Sequence, residues 1–267
     1  MIMVCNPLRE TAPMGVLEEF QDMGRWKERI TEKRLIHLLP CLFLLLCGAS
    51  PPQTQLAEAH RYLETQGDRT TTIHWILERE PEMRLFWLSE GDIRIASTDD
   101  SLNTVQWEMR QSTEGTHIVT HRQDNRILIQ GSWEGEAVDM ERDIDDAPWY
   151  QATSLALRKL VFSSDTTDTF WTLRPDNLKA YKMTAEKIAE ETISVNGKSI
   201  PSEKIRLSVD GVPQLIYESH YWFRKTDGVF VRFDGPGGPP GHPRIQIEYA
   251  GEADLPLPAF SADAPTG

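Results

Sequence analysis

The chain has 267 residues, of which 39% are hydrophobic, 26% charged and 9% aromatic, and its net charge is −13. That apolar fraction is enough to offset the entropy of ordering a core, so the composition excludes a disordered chain, and the length suits one larger domain or two small ones. An acidic surface of this size repels phosphate backbones and anionic lipid headgroups, which argues against nucleic-acid binding.

The first element is a leader. Residues 35–46 read LIHLLPCLFLLL. At about 1.5 Å per helical residue this run is too short to cross a hydrocarbon core of about 30 Å, and Pro40 interrupts it. A basic stretch, Arg25 to Arg34, precedes it, and Gly48, Ala49 and Ser50 follow. Basic, apolar and small-residue regions in that order predict a secretory signal. Residues 1–22 stand outside this pattern, and Met23 would open a normal signal, so 1–22 read as an over-extended start and 23–49 as the signal peptide. Six basic and six acidic residues precede Cys47, so export leaves the charge of the remainder unchanged. The cysteines are Cys5, Cys41 and Cys47, which gives the part beyond residue 47 neither an internal disulfide nor a thiolate metal site.

Two processing routes are open. Leu45-Leu46-Cys47-Gly48 resembles a bacterial lipoprotein signal, in which the Cys becomes the lipidated first residue, although Leu46 stands where that pattern has a small residue. Cleavage after Ala49 is the other route. Both export the chain, to the periplasm or to a lipid anchor on the outer membrane.

Residues 50–69 read as a tether carrying a short helix over 55–64, QLAEAHRYLE. From about Thr70 the apolar residues alternate. Val105, Trp107 and Met109 share one strand face, as do Ile127, Ile129 and Trp133. Further sets are Val138, Met140 and Ile144, then Ile205, Leu207 and Val209, then Ile245, Ile247 and Tyr249. Strict alternation predicts half-buried antiparallel strands. Turn signals separate them, among them Glu90-Gly91-Asp92, Asp124-Asn125, Glu134-Gly135 and Asn196-Gly197, where Gly and Asn tolerate the positive φ of tight hairpins. One stretch, APWYQATSLALRKLVFSS (147–164), has helical spacing instead: Thr153, Ala156, Leu157, Leu160 and Val161 form a stripe. Asp145 or Asp146 ahead of Pro148 suits a helix start. The expected fold is therefore mainly β, a large curved antiparallel sheet or half-barrel over 70–252 with one helix packed across its concave face, followed by a Pro/Ala tail over 253–267.

Three runs are apolar on both faces: LFWL (85–88), FWTL (170–173) and YWF (221–223). Such a strand is covered on both sides, or one of its faces lines a pocket. Face parity makes Trp107, Trp133, Trp149, Leu157, Val161, Trp171 and Trp222 the expected lining of a hydrophobic ligand site.

The order of strands, the DIDDAPW-led helix and a second run of strands through NGKSIPSEKIRLSVDG and YWFRKTDGVFVRFDGPGG resembles uncharacterised exported bacterial β-proteins. It is more remotely similar to the lipoprotein-carrier and lipoprotein-receptor fold, an unclosed, strongly curved sheet with helices in its hollow. The resemblance covers roughly residues 70–250 as a pattern of elements, carries no functional residues across, and implies an apolar ligand.

Residues with catalytic potential read better as structure. Glu141, Asp143, Asp145 and Asp146 lack calcium-loop spacing. His117 and His121 on a strand stand about 13 Å apart, too far for one metal. No nucleophile elbow occurs, and DGPGGPPGHP (234–243) lacks the Lys-Ser and helix of a phosphate loop. No cofactor and no metal are expected. The leading expectation is a non-enzymatic envelope protein that binds a lipid or acyl chain. The alternatives are an assembly component that binds another envelope protein and an exported hydrolase using Asp143, Asp145, His117 or His121.

Overall fold

A computed structural model describes residues 56–79, 82–211, 218–237 and 243–253. The expected signal peptide over 23–49 with Cys47, the start of the expected tether and residues 254–267 lie outside the described residues. Among those described, one sheet of fourteen antiparallel strands dominates. Its first half is a meander of eight: β1 (Leu56–Gln66), β2 (Arg69–Glu78), β3 (Met83–Ser89), β4 (Asp92–Thr98), β5 (Thr104–Gln111), β6 (Thr116–Gln123), β7 (Arg126–Trp133) and β8 (Glu136–Asp143). Helices α1 (Thr153–Ala156) and α2 (Arg158–Phe162) follow. A second meander holds β9 (Thr167–Leu173), β10 (Ala180–Val195), β11 (Lys198–Val209), β12 (Glu218–Arg224), β13 (Phe230–Pro236) and β14 (Arg244–Glu252). β14 returns to pair with β1, giving the order 8-7-6-5-4-3-2-1-14-13-12-11-10-9.

The turns explain the meander. Asn196 and Gly197 both have positive φ, as do Glu134 and Gly135, the backbone that matches the twist of two hairpin strands. The sheet folds over on itself, because Ile129 of β7 and Phe170 of β9 belong to one core although they lie near opposite edges. It stays unclosed: β8 and β9 are not paired. A hydrogen bond from Arg142 Nε to the Leu178 carbonyl, 2.8 Å, joins β8 to the β9–β10 turn. Leu155, Ala156, Leu157 and Leu160 of the helical segment sit in the same core, so the helices fill part of the concave side.

Three expectations are corrected. Residues 56–66 form a strand, not a helix on a tether, and that strand is the central seam joining the two meanders. Its Leu, Ala and Glu favour helix, but pairing on both edges with β2 and β14 overrides propensity. The helix also starts later than Pro148. Residues 148–150 instead run along β9 as a strap, with Trp171 N donating to the Pro148 carbonyl at 2.7 Å and Tyr150 N to the Trp171 carbonyl at 2.8 Å. The residue preceding α1 is Ala152, with no side-chain cap, so neither Asp145 nor Asp146 starts the helix. Third, Val105 does not share the face of Trp107. A bulge opposite Ser97 and Thr98 turns Val105 outward, 46% exposed, and buries Thr104 in its place.

The convex side carries its own apolar clusters. Trp222, Val229 and Val231 pack there with Ile193, Val195 and Ile200 from the far end of the β10–β11 hairpin. A register shift between Lys187 and Ala189 interrupts that hairpin. Its tip is held by Asn196 Nδ2 donating to the Tyr249 carbonyl at 2.8 Å and by Arg232 donating to the Ser194 carbonyl at 3.0 Å. This cover explains why the YWF run is apolar on both faces: Tyr221 and Phe223 face the main core and Trp222 the outer cluster.

Candidate functional site

The concave side is not filled throughout. A cavity of about 410 Å³ lies between the two meanders. Leu85, Trp87, Ala96 and Trp107 line it from the first meander. They are neighbours across β3, β4 and β5, where Leu85 pairs with Ala96 and Ala96 with Trp107. Ala96 makes the room, being the small residue between larger ones. Tyr221, Phe230, Phe233 and Ile247 line it from the second meander, with the Tyr221 and Phe233 rings edge to face at 4.9 Å. Ala152, Thr153 and Ser154 form one end, where the helical segment begins.

Most polar groups in this cavity are committed to the protein. Gln151 accepts from Leu173 N at 2.9 Å and donates to the Leu173 carbonyl at 2.8 Å. Ser154 Oγ accepts from Trp75 Nε1 at 3.0 Å, and the Thr153 and Tyr221 hydroxyls are 3.0 Å apart. Arg94 pairs with Asp92, and Arg174 with Asp176. Glu64 is the exception: among the described residues its carboxyl makes no hydrogen bond or ion pair. Burial raises its pKa above the ordinary glutamate value, a rise that the Arg94 charge opposes. Glu64 also lines a second, polar cavity of about 210 Å³, together with Gln66, Arg69, Glu90, Asp92 and Glu114.

A buried charge cluster lies elsewhere on the concave side. Arg158 of α2, only 9% exposed, places Nη1 at 2.9 and 2.8 Å from the two Glu58 oxygens. Its guanidinium lies 4.8 Å from the Trp75 ring centroid. His60 Nε2 is 3.3 Å from Glu58, and its Nδ1 is 2.9 Å from Glu252. Burial alone would push Glu58 up, but the His60 hydrogen bond and the Arg158 charge bring it from 4.5 down to about 2.

The seven residues expected to line a ligand site are dispersed. Trp107 lines the cavity. Trp149 and Leu157 are fully buried within the core, and Trp133, Val161 and Trp171 pack against it from partly exposed positions. Trp171 is held at the β9 edge by a 2.7 Å hydrogen bond to Asp145. Trp222 lies on the convex side, bonded to Glu191 with Lys204 4.9 Å from its ring centroid. Sequence reasoning did not single out Glu64, Phe230 or Phe233. The two-faced runs were the available signal for Trp87 and Tyr221, since one face of each run does line the hollow.

The residues considered for catalysis are also dispersed. His117 bonds Glu108 at 2.8 Å on the outer face. Asp145 is ion-paired with Lys182 and bonded to Trp171, and these contacts hold its pKa down at about 2. Among the described residues no three His, Cys, Asp or Glu side chains are placed to hold a metal ion. No described helix is long and apolar enough to cross a membrane.

No family model and no curated protein matches the chain. Solved structures similar to it include two bacterial proteins. One is a β-barrel-like protein of the domain of unknown function DUF1849 from Brucella abortus, at TM-score 0.47 and 9% identity, covering 76% of this chain and 100% of that one. The other is the hypothetical lipoprotein YmcC from Escherichia coli, at TM-score 0.36 and 11% identity, covering 74% of this chain and 86% of that one.

Proposed function

We propose that the protein is an exported, non-enzymatic component of the cell envelope that shelters a hydrophobic ligand, such as a lipid or acyl chain, in the hollow of its half-barrel. The cavity carries this reading. About 410 Å³ falls within the roughly 300–1,000 Å³ of small-molecule sites, and aromatic and aliphatic side chains line it from two walls. Burying an acyl chain there would gain about 0.8 kcal/mol per methylene removed from water. Trp107 from the expected set, with Trp87, Phe230 and Phe233, would contact the ligand. The leader over 23–49 supports export, and Cys47 is a lipid anchor if the lipoprotein route is taken.

The other two readings have less support. Asp143, Asp145, His117 and His121 line neither cavity, which weakens the hydrolase. Among the described residues, the large exposed apolar side chains Leu63, Val105, Phe162 and Ile188 sit on four separate elements, which gives little support to a docking patch.

Native mass spectrometry of the processed protein, extracted gently from its own envelope, tests the proposal. The expected result is an added mass, released by organic solvent, that is a lipid or other apolar molecule. A uniformly bare chain that also fails to take up lipid from vesicles would overturn it.

A further inference from the structure

The apolar hollow and the polar cavity meet at Glu64, which lines both. A molecule lying across that junction would be an amphiphile, with its chain among Trp87, Trp107 and Phe233 and its head among the groups of the polar cavity. The charges there select the head. Arg94 is locked to Asp92 and Arg174 to Asp176, so neither guanidinium is available to an anion without losing its own carboxylate. Among the described residues, the polar cavity then leaves Glu64, Glu90 and Glu114 with Arg69 as the one cation in its lining. An anionic head would enter against that excess, whereas a cationic head would supply the direct ion pair that Glu64 does not make among the described residues.

We propose that the protein takes a single-chain amphiphile with a cationic ammonium head, the chain in the apolar hollow and the ammonium beside Glu64 in the adjoining acidic cavity. This rests on the reading of the hollow as a site for apolar ligands. Glu64 is half-buried and feels the Arg94 and Arg69 charges without a direct hydrogen bond or ion pair to either, and an ammonium within hydrogen-bond reach would supply that direct charge-assisted contact while the chain is desolvated. The protein's overall charge of −13 favours approach of a cation in the same sense.

The test compares three probes of one chain length: dodecylammonium, dodecanoate and dodecyl maltoside. Each is titrated below its micelle concentration at neutral pH and followed by calorimetry. Dodecylammonium is expected to bind about tenfold more tightly than dodecanoate, the size of one partly buried charge contact. Glu64→Gln should remove most of that preference, read as the ratio of the two affinities, and dodecyl maltoside reports whether the hollow still takes a chain. Glu90→Gln combined with Glu114→Gln, on surface turns, should weaken the preference without touching the hollow. Dodecanoate binding as well as dodecylammonium, or a preference that persists in Glu64→Gln, would overturn the head-group assignment and leave the apolar site standing. Failure of all three probes to bind would remove the apolar site and the head-group assignment with it.

Discussion

Arg158 and Glu58 tie the helical segment to the central strand. The guanidinium is buried against Trp75, and its Nε and Nη2 have no acceptor among the described residues, so Glu58 is its principal compensation. Removing one member of such a pair leaves a buried charge unmatched and costs about 3–5 kcal/mol when burial is complete. Glu58 is partly exposed, so Glu58→Gln is expected to cost about 2 kcal/mol in urea unfolding. Arg158→Met together with Glu58→Leu should recover much of that loss, because a packed apolar pair needs no charge compensation. The pH dependence follows from the lowered pKa of Glu58. The folded state binds this proton more weakly than the unfolded state, so its stabilisation is present above about pH 4.5 and fades as pH falls towards 2. His60 and Arg158 offset the burial and set that shift, with Arg79 4.0 Å from Glu58 and Glu252 on the far side of His60. Glu58→Gln should therefore flatten the acid limb of the stability profile over that window. An unchanged limb would show that other carboxylates dominate it.

At the level of elements, single positions decide whether neighbouring strands can meet. Gly131 in β7 has φ +128°, and an added Cβ would lie 2.1 Å from the His117 carbonyl oxygen of β6. Gly131→Ala must therefore push two backbones apart, and a loss of about 2–3 kcal/mol is expected by thermal or urea unfolding. Gly135 has φ +82° but open space around it, so Gly135→Ala should cost only about 1 kcal/mol. Equal losses at the two sites would contradict the close approach at β6. On the convex side, Trp222→Ala should cost about 3–5 kcal/mol by removing the residue that the β10–β11 hairpin covers. Element type was legible wherever alternation was clean: Ile127 and Ile129, or Ile205 and Leu207, are buried as their spacing predicts. It failed at β1, where Glu58, His60 and Glu64 face the concave side and break the apolar pattern, and where an extra residue between Leu56 and Glu58 shifts the register against β2. It was also inexact at 148–151, where the strap has no periodicity of its own and takes its shape from hydrogen bonds to β9 and Thr104.

For the whole molecule, the mainly β half-barrel could be read from many short strands and one helical stretch. The pairing of β14 with β1 could not, because strand order is set by long-range contacts that local patterns do not encode. The ligand-lining set suffered from the same limit. Face parity separates the two sides of a strand, but it does not say which side is filled. Trp149 and Leu157 face inward and are packed solid, whereas Trp107 faces inward beside Ala96 and meets open space. The cavity exists because a small residue stands between Leu85 and Trp107 and the helical segment, which begins at Thr153, closes only one end of it. Ala96→Phe should fill the space from one wall, and a strand position tolerates an aromatic ring well. The most direct measurement is a fluorescence titration of the native protein and the Ala96→Phe variant with an environment-sensitive apolar dye, after thermal unfolding has established that both fold. Saturable binding to the native protein that weakens at least about tenfold in the variant is the expected result, since a ring there displaces the ligand's own volume. Equal binding by the two folded proteins, or none by either, would contradict a ligand in the hollow.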